Sequence, residues 1–98
     1  MEREKTIKTL RLHAADLKNR GVNDLSVFGS TARGDATSDS GIDLLIDIAP
    51  DEAFSLVDLA KLKQHLDTLL DCDVDLTIRS DIKPFLQDSI LEDEIRVF

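Results

Sequence analysis

Two stretches of strict alternation, each with one apolar and one acidic face, lie among runs of helical periodicity and predict an α/β (α+β) domain. The expected form is a small sheet with helices packed on one face and the acidic face left open. In the first stretch Ile42, Leu44, Ile46 and Ile48 point one way, while Gly41, Asp43, Leu45 and Asp47 point the other. In the second, Val74, Leu76 and Ile78 oppose Asp73, Asp75 and Thr77. There is no internal repeat and no low-complexity linker, so the 98 residues are expected to form one domain, 1–98.

Each element has its own signal. Ile7, Leu10, Ala14 and Leu17 recur at helical spacing, which predicts one amphipathic helix over residues 3–20, closed by Gly21. Leu25, Val27 and Phe28 predict a short strand that ends at Gly29. The alternating strand from Ile42 is broken by Pro50-Asp51, and Phe54, Val57, Leu62, Leu66, Leu69 and Leu70 then follow helical spacing. After the second alternating strand, Ser80, Asp81 and Pro84 start a short helix that runs to about Asp93, and "EIRVF" follows as an extended tail.

Composition excludes several classes. With 42% hydrophobic and 33% charged residues the chain reads as globular rather than disordered. No apolar run approaches the roughly 20 residues of a membrane span, and the N-terminus lacks the apolar centre of a signal peptide, so a cytoplasmic protein is expected. A single cysteine, Cys72, cannot form an internal disulfide and reads as a small half-buried residue. The net charge of −8 argues against direct binding to a nucleic-acid backbone. That charge is uneven: residues 1–20 hold six Lys/Arg against three acids, or +3, which leaves −11 on the remainder. Carboxylates concentrated near a cleft suit a divalent cation or a basic partner.

Two carboxylates carry the chemistry. Asp is a poor strand former, so Asp43 and Asp75 in the middle of good strands need a reason. If the two strands pair side by side, these acids stand together on the open face, within reach of a shared ion.

"GSTARG", followed by "SDSGIDLLIDI" and later by "DVDLTI", resembles the nucleotidyltransferase superfamily that includes DNA polymerase beta, and most closely its minimal stand-alone members, the MNT proteins. The resemblance covers Val27 to Phe98, and the N-terminal helix also fits. It implies a nucleotidyltransferase fold with a small mixed sheet. It also implies transfer of AMP from ATP, with two Mg²⁺ ions clamped between carboxylates to neutralise phosphate charge. On this chain Asp43 and Asp75 would be the catalytic and metal-binding acids, Asp75 helping to deprotonate the attacking hydroxyl. Gly29 would let the backbone approach the phosphates, Ser30 would donate to them, and Arg33 would be a further nucleotide contact. Minimal members are commonly paired with HEPN ribonuclease toxins, so the resemblance implies an antitoxin in a hetero-oligomer, transferring AMP to a toxin tyrosine. This chain has no tyrosine of its own.

The chain departs from the pattern at one position. In the family that pattern is Gly-Ser, ten residues, Asp-x-Asp and a third Asp on a later strand; the first acid of the Asp-x-Asp pair is expected at 41, where this sequence has Gly41, and Asp39 stands two residues upstream as a weak substitute. Catalysis is therefore expected to be impaired. Two other readings stay open: a non-catalytic antitoxin that neutralises by binding, and a nucleotidyltransferase subunit for a small-molecule or RNA hydroxyl. Competing motifs fail on residue type. "GSTARGDA" has Asp35-Ala36 where a P-loop needs Lys and Ser/Thr, and "DCDVDLTIRSDI" lacks the glycine and terminal glutamate of an EF-hand. His13 and His65 have no second ligand at metal spacing.

Overall fold

The computed structural model describes residues 3–34, 41–49 and 53–98. Its elements are α1 (Arg3–Leu12), α2 (Ala14–Asn19), β1 (Val22–Val27), α3 (Gly29–Arg33), β2 (Ile42–Ile48), α4 (Leu56–Leu70), β3 (Val74–Ile78), a 3-10 turn (Arg79–Asp81), α5 (Pro84–Asp93) and β4 (Ile95–Arg96). The four strands form a mixed sheet in the order β3-β2-β1-β4. β1 runs antiparallel to both β2 and β4, whereas β2 and β3 are parallel, joined through α4.

The N-terminal helix differs from expectation: it is two helices broken at His13 (φ −106°, ψ 14°). In a continuous helix the backbone N–H of His13 would bond the Thr9 carbonyl. Instead the His13 ring places Nδ1 2.9 Å from Thr9 O, and the N–H turns to Leu10 O at 3.1 Å. Leu10 of α1 and Leu17 of α2 both stay fully buried across the break. Gly21 follows α2 with φ +103°, the left-handed conformation that glycine adopts without steric cost.

β1 begins earlier than Leu25 because Val22 pairs with Ile48, and the register then shifts between Val22 and Asp24. That irregularity lets the polar residues Asn23 and Asp24 enter the strand without disturbing Leu25 and Val27 on the core side. α4 starts at Ser55 through a reciprocal capping box with Asp58 and ends at Asp71 in the left-handed region. Val57, within the predicted helical pattern, is exposed on the first turn, whereas Leu62, Leu66 and Leu70 carry the buried stripe.

The core lies between one sheet face and helices α1, α2 and α4. Leu10, Leu17, Leu25, Val27, Leu44, Ile46, Leu62, Leu66, Leu70 and Val74 belong to one cluster. The opposite face carries the acids but is not open throughout. Leu45 and Ser26, paired across β2 and β1 on that face, are 0% and 1% exposed. The face is open at Asp75 and partly at Asp43 and Asp47, while Leu45 and Ser26 between them are covered. No described helix is long and apolar enough to cross a membrane.

Candidate functional site

Parallel pairing of β2 with β3 aligns Ile42 with Val74, Asp43 with Asp75 and Leu44 with Leu76. The two acids are thus direct cross-strand neighbours on one face, on strands about 4.8 Å apart. Asp43 is half-buried and Asp75 exposed.

Beside them the chain leaves β1 and turns into α3. Gly29 has φ +59°, and a Cβ there would lie 2.8 Å from Asp43 Oδ2. The left-handed conformation therefore selects glycine, and an added Cβ would also make the Asp43 carboxylate give way. Gly29 is expected from the sequence to let the backbone approach a ligand; the group a side chain there would meet is the Asp43 carboxylate.

At five residues, α3 is too short to persist alone. Neighbouring elements hold it: Arg3 Nη1 donates to Ala32 O at 2.9 Å, and Arg33 Nη1 pairs with Asp93 Oδ2 of α5 at 2.8 Å. From β2, the Asp43 N–H donates to Thr31 Oγ1 at 2.9 Å, and the Phe28 N–H donates to Asp43 O at 3.2 Å. Thr31 was not singled out in the sequence, although a threonine two residues after the glycine was visible. Its 2% exposure, which gives it meaning, was not. The Arg33 guanidinium is engaged by the Asp93 carboxylate. Ser30 lies on the first turn of α3, but its hydroxyl falls outside the described side chains, and Asp39 lies outside the described residues.

Position 41 has a packing reason of its own. A Cβ on Gly41 would sit 2.7 Å from the backbone oxygen of Asp73, the same oxygen that accepts the Ile42 N–H at 3.0 Å. Glycine lets the start of β2 close onto the start of β3. The latter is pinned from α4: Lys63 Nζ bridges Asp67 and Asp73, each at 2.9 Å, and Asp67 Oδ1 accepts the Val74 N–H at 2.7 Å. The Lys63 ammonium holds the Asp67 carboxyl below its usual range, and Asp67, then Asp73, raise the Lys63 pKa.

Among the described residues no group of three or more His, Cys, Asp or Glu is placed to hold a metal ion. Two facing carboxylates fit one hard divalent cation completed by water and phosphate oxygens, but not a cage that needs a further acid at 41. Desolvation pushes the Cys72 thiol up, away from nucleophilic use. His13 bonds backbone, and His65 Nε2 lies 3.1 Å from Asp16 Oδ2, so neither joins the site.

Residues 7–97 match the nucleotidyltransferase domain. The protein adenylyltransferase MntA of Thermococcus cleftensis is 36% identical over 89 residues, covering 90% of this chain and 88% of that protein. A candidate protein adenylyltransferase of Methanocaldococcus jannaschii is 40% identical over 90 residues, covering 90% of each. Among solved structures, a candidate minimal nucleotidyltransferase superposes with a TM-score of 0.80 at 34% identity, covering 97% of this chain and 95% of the other. Two more distant structures share the fold. One is a toxin-antitoxin with AMP-PNP (TM-score 0.72, 22% identity, 100% and 73% covered). The other is a tri-AMPylated Shewanella oneidensis HEPN toxin with its MNT antitoxin (TM-score 0.66, 18% identity, 94% and 71% covered).

Proposed function

The chain belongs to the nucleotidyltransferase domain family, and from that premise we propose that it is the antitoxin of a HEPN/MNT pair, built to move AMP from ATP to a tyrosine of its ribonuclease partner. The observation that carries this reading is the pairing of Asp43 with Asp75 beside the Gly29–Arg33 turn. Support for an adenylyl donor and a protein acceptor comes from the adenylyltransferase relatives, and support for a HEPN partner from the neighbouring complexes.

In the transfer, the tyrosine oxygen forms a bond to the α-phosphorus while the bond from that phosphorus to the bridging oxygen breaks, and pyrophosphate leaves. Asp75, exposed at the mouth of the site, takes the tyrosine proton. Asp43, fixed through its own backbone on both sides, holds its carboxylate toward the phosphates, and the turn at Gly29 and Ser30 receives them. A divalent cation such as Mg²⁺, held by Asp43 and Asp75, would supply the charge neutralisation that phosphoryl oxygens require. With Gly41 in place of an acid, the chain holds one such ion less firmly than a full cage would, and transfer is slow.

A second reading has one specific observation in its favour. Since position 41 has no room for a side chain at the present strand spacing, the chain fits an antitoxin that neutralises its partner by binding alone. The two readings separate in one experiment: the intact mass of a purified HEPN partner after incubation with ATP, Mg²⁺ and either this chain or its Gly41→Asp variant. Mass increments of AMP size, larger with the variant, support transfer. No added mass from either, with ribonuclease activity still suppressed by both, overturns the enzyme reading.

A further inference from the structure

At the point where β1 leaves the sheet, one hydrogen bond has no strand to accept it. The Ile42 N–H points to β3, where Asp73 O accepts it, so by strand alternation the Asp43 N–H points to the other side. There Phe28 stands opposite, its N–H donating to Asp43 O at 3.2 Å, but its own carbonyl has turned into α3, where it accepts the Ala32 N–H at 3.3 Å. A half-buried backbone N–H left without an acceptor is costly. The Thr31 hydroxyl fills the gap at 2.9 Å, from a residue that is 2% exposed. This bond joins α3, which carries Gly29 and Ser30, directly to the residue that carries the carboxylate.

We infer that Thr31 is a positioning residue: its hydroxyl sets the distance between the α3 turn and the Asp43 carboxylate, so that both face one ligand. The inference rests on the proposed nucleotide site but reaches a residue outside it, since Thr31 itself is sealed from solvent. Gly29 shows how closely the two approach, because a Cβ there would lie 2.8 Å from Asp43 Oδ2. A shift of Asp43 away from the turn loses the bond to Thr31. The hydroxyl holds the Asp43 backbone, from which the carboxylate projects.

The test compares the parent chain with Thr31→Val, which keeps the shape and removes the acceptor, and Thr31→Ser, which keeps the acceptor. Should Thr31→Val not fold, Thr31→Ala takes its place. Two quantities are read at a temperature where all are folded: the affinity for Mg²⁺-ATP by calorimetry, and hydrogen exchange at the Asp43 amide by NMR. The expected result is that Thr31→Val binds about tenfold more weakly and exchanges its Asp43 amide faster, as loss of one positioning hydrogen bond implies. Thr31→Ser should stay close to the parent in both. Binding by Thr31→Val equal to the parent overturns the inference, as does an equal loss in Thr31→Ser, which would assign the effect to packing. If the parent itself does not bind Mg²⁺-ATP, the nucleotide reading fails separately. Thr31 is then judged on exchange alone, and Asp43 protection that persists in Thr31→Val overturns its role.

Discussion

Replacing Gly41 by alanine tests whether this position is closed by packing or merely vacant. The added Cβ would lie 2.7 Å from Asp73 O, where ordinary contact begins at 3.4 Å, so about 0.7 Å must be found between the starts of β2 and β3. The neighbour is backbone, and it is pinned by Lys63 and Asp67 through Asp73 and Val74. Relief therefore comes by stretching the bond from Ile42 to Asp73, about 0.5–1.5 kcal/mol, together with overpacking strain of about 1–3 kcal/mol. Alanine also lowers the entropy of the unfolded chain, which offsets about 0.4–1 kcal/mol. The net loss is about 1–4 kcal/mol, or roughly 5–30 °C in melting temperature for a domain of this size. Urea unfolding of the parent and the variant reads it directly, as a lower midpoint with an unchanged slope. An alanine variant as stable as the parent, or more so, would show that the strands part freely. The argument that Gly41 is built into the packing would then be wrong. The outcome also bears on Gly41→Asp, whose gain in transfer has to be weighed against the same strain.

Other substitutions separate site from scaffold. Asp75→Asn should weaken Mg²⁺-ATP binding about tenfold or more by calorimetry while changing stability by no more than about 0.5 kcal/mol, because Asp75 is exposed; equal binding would remove it from the site. Leu66→Ala, at a fully buried position on α4, should cost about 2–5 kcal/mol in urea unfolding, and a loss below 1 kcal/mol would contradict the core assignment. Lys63→Met should flatten the acid limb of stability. Asp67 titrates below its ordinary 3.8 in the folded chain, so the unfolded state binds more protons between those two values. The contribution is present above about pH 4 and is lost as pH falls through the folded pKa. Unfolding midpoints at pH 3 and pH 7 should therefore differ less in the variant than in the parent.

The alternating strands and the pairing of Asp43 with Asp75 were legible because period two fixes which face a residue takes, and both acids were out of character for their strands. The helix break at His13 was not, since it depends on a ring competing with its own backbone for Thr9 O. The start of β1 was hidden as well: Asn23 and Asp24 are poor strand formers, and they are extended only because Ile48 and Asp47 pair with their stretch. The tail was read as extended, but its pairing with β1 through Ser26 and Val27 has no local signal. Gly41 was noticed as a missing acid, while its contact with Asp73 depends on a strand three decades of residues later. Leu45, placed among acids by alternation, gave no sign that its part of the face is covered.

The sheet order has a consequence for how the site can come apart. β3 is an edge strand whose only partner in the sheet is β2, whereas β2 is interior. Gly29, Thr31 and Asp43 lie within fifteen residues of chain and share one locked unit, but Asp75 arrives across the whole of α4. Fraying of that one edge would carry Asp75 away and leave the rest intact, an opening far smaller than global unfolding. Against that fray, Lys63 ties α4 to the first residues of β3 through Asp67 and Asp73.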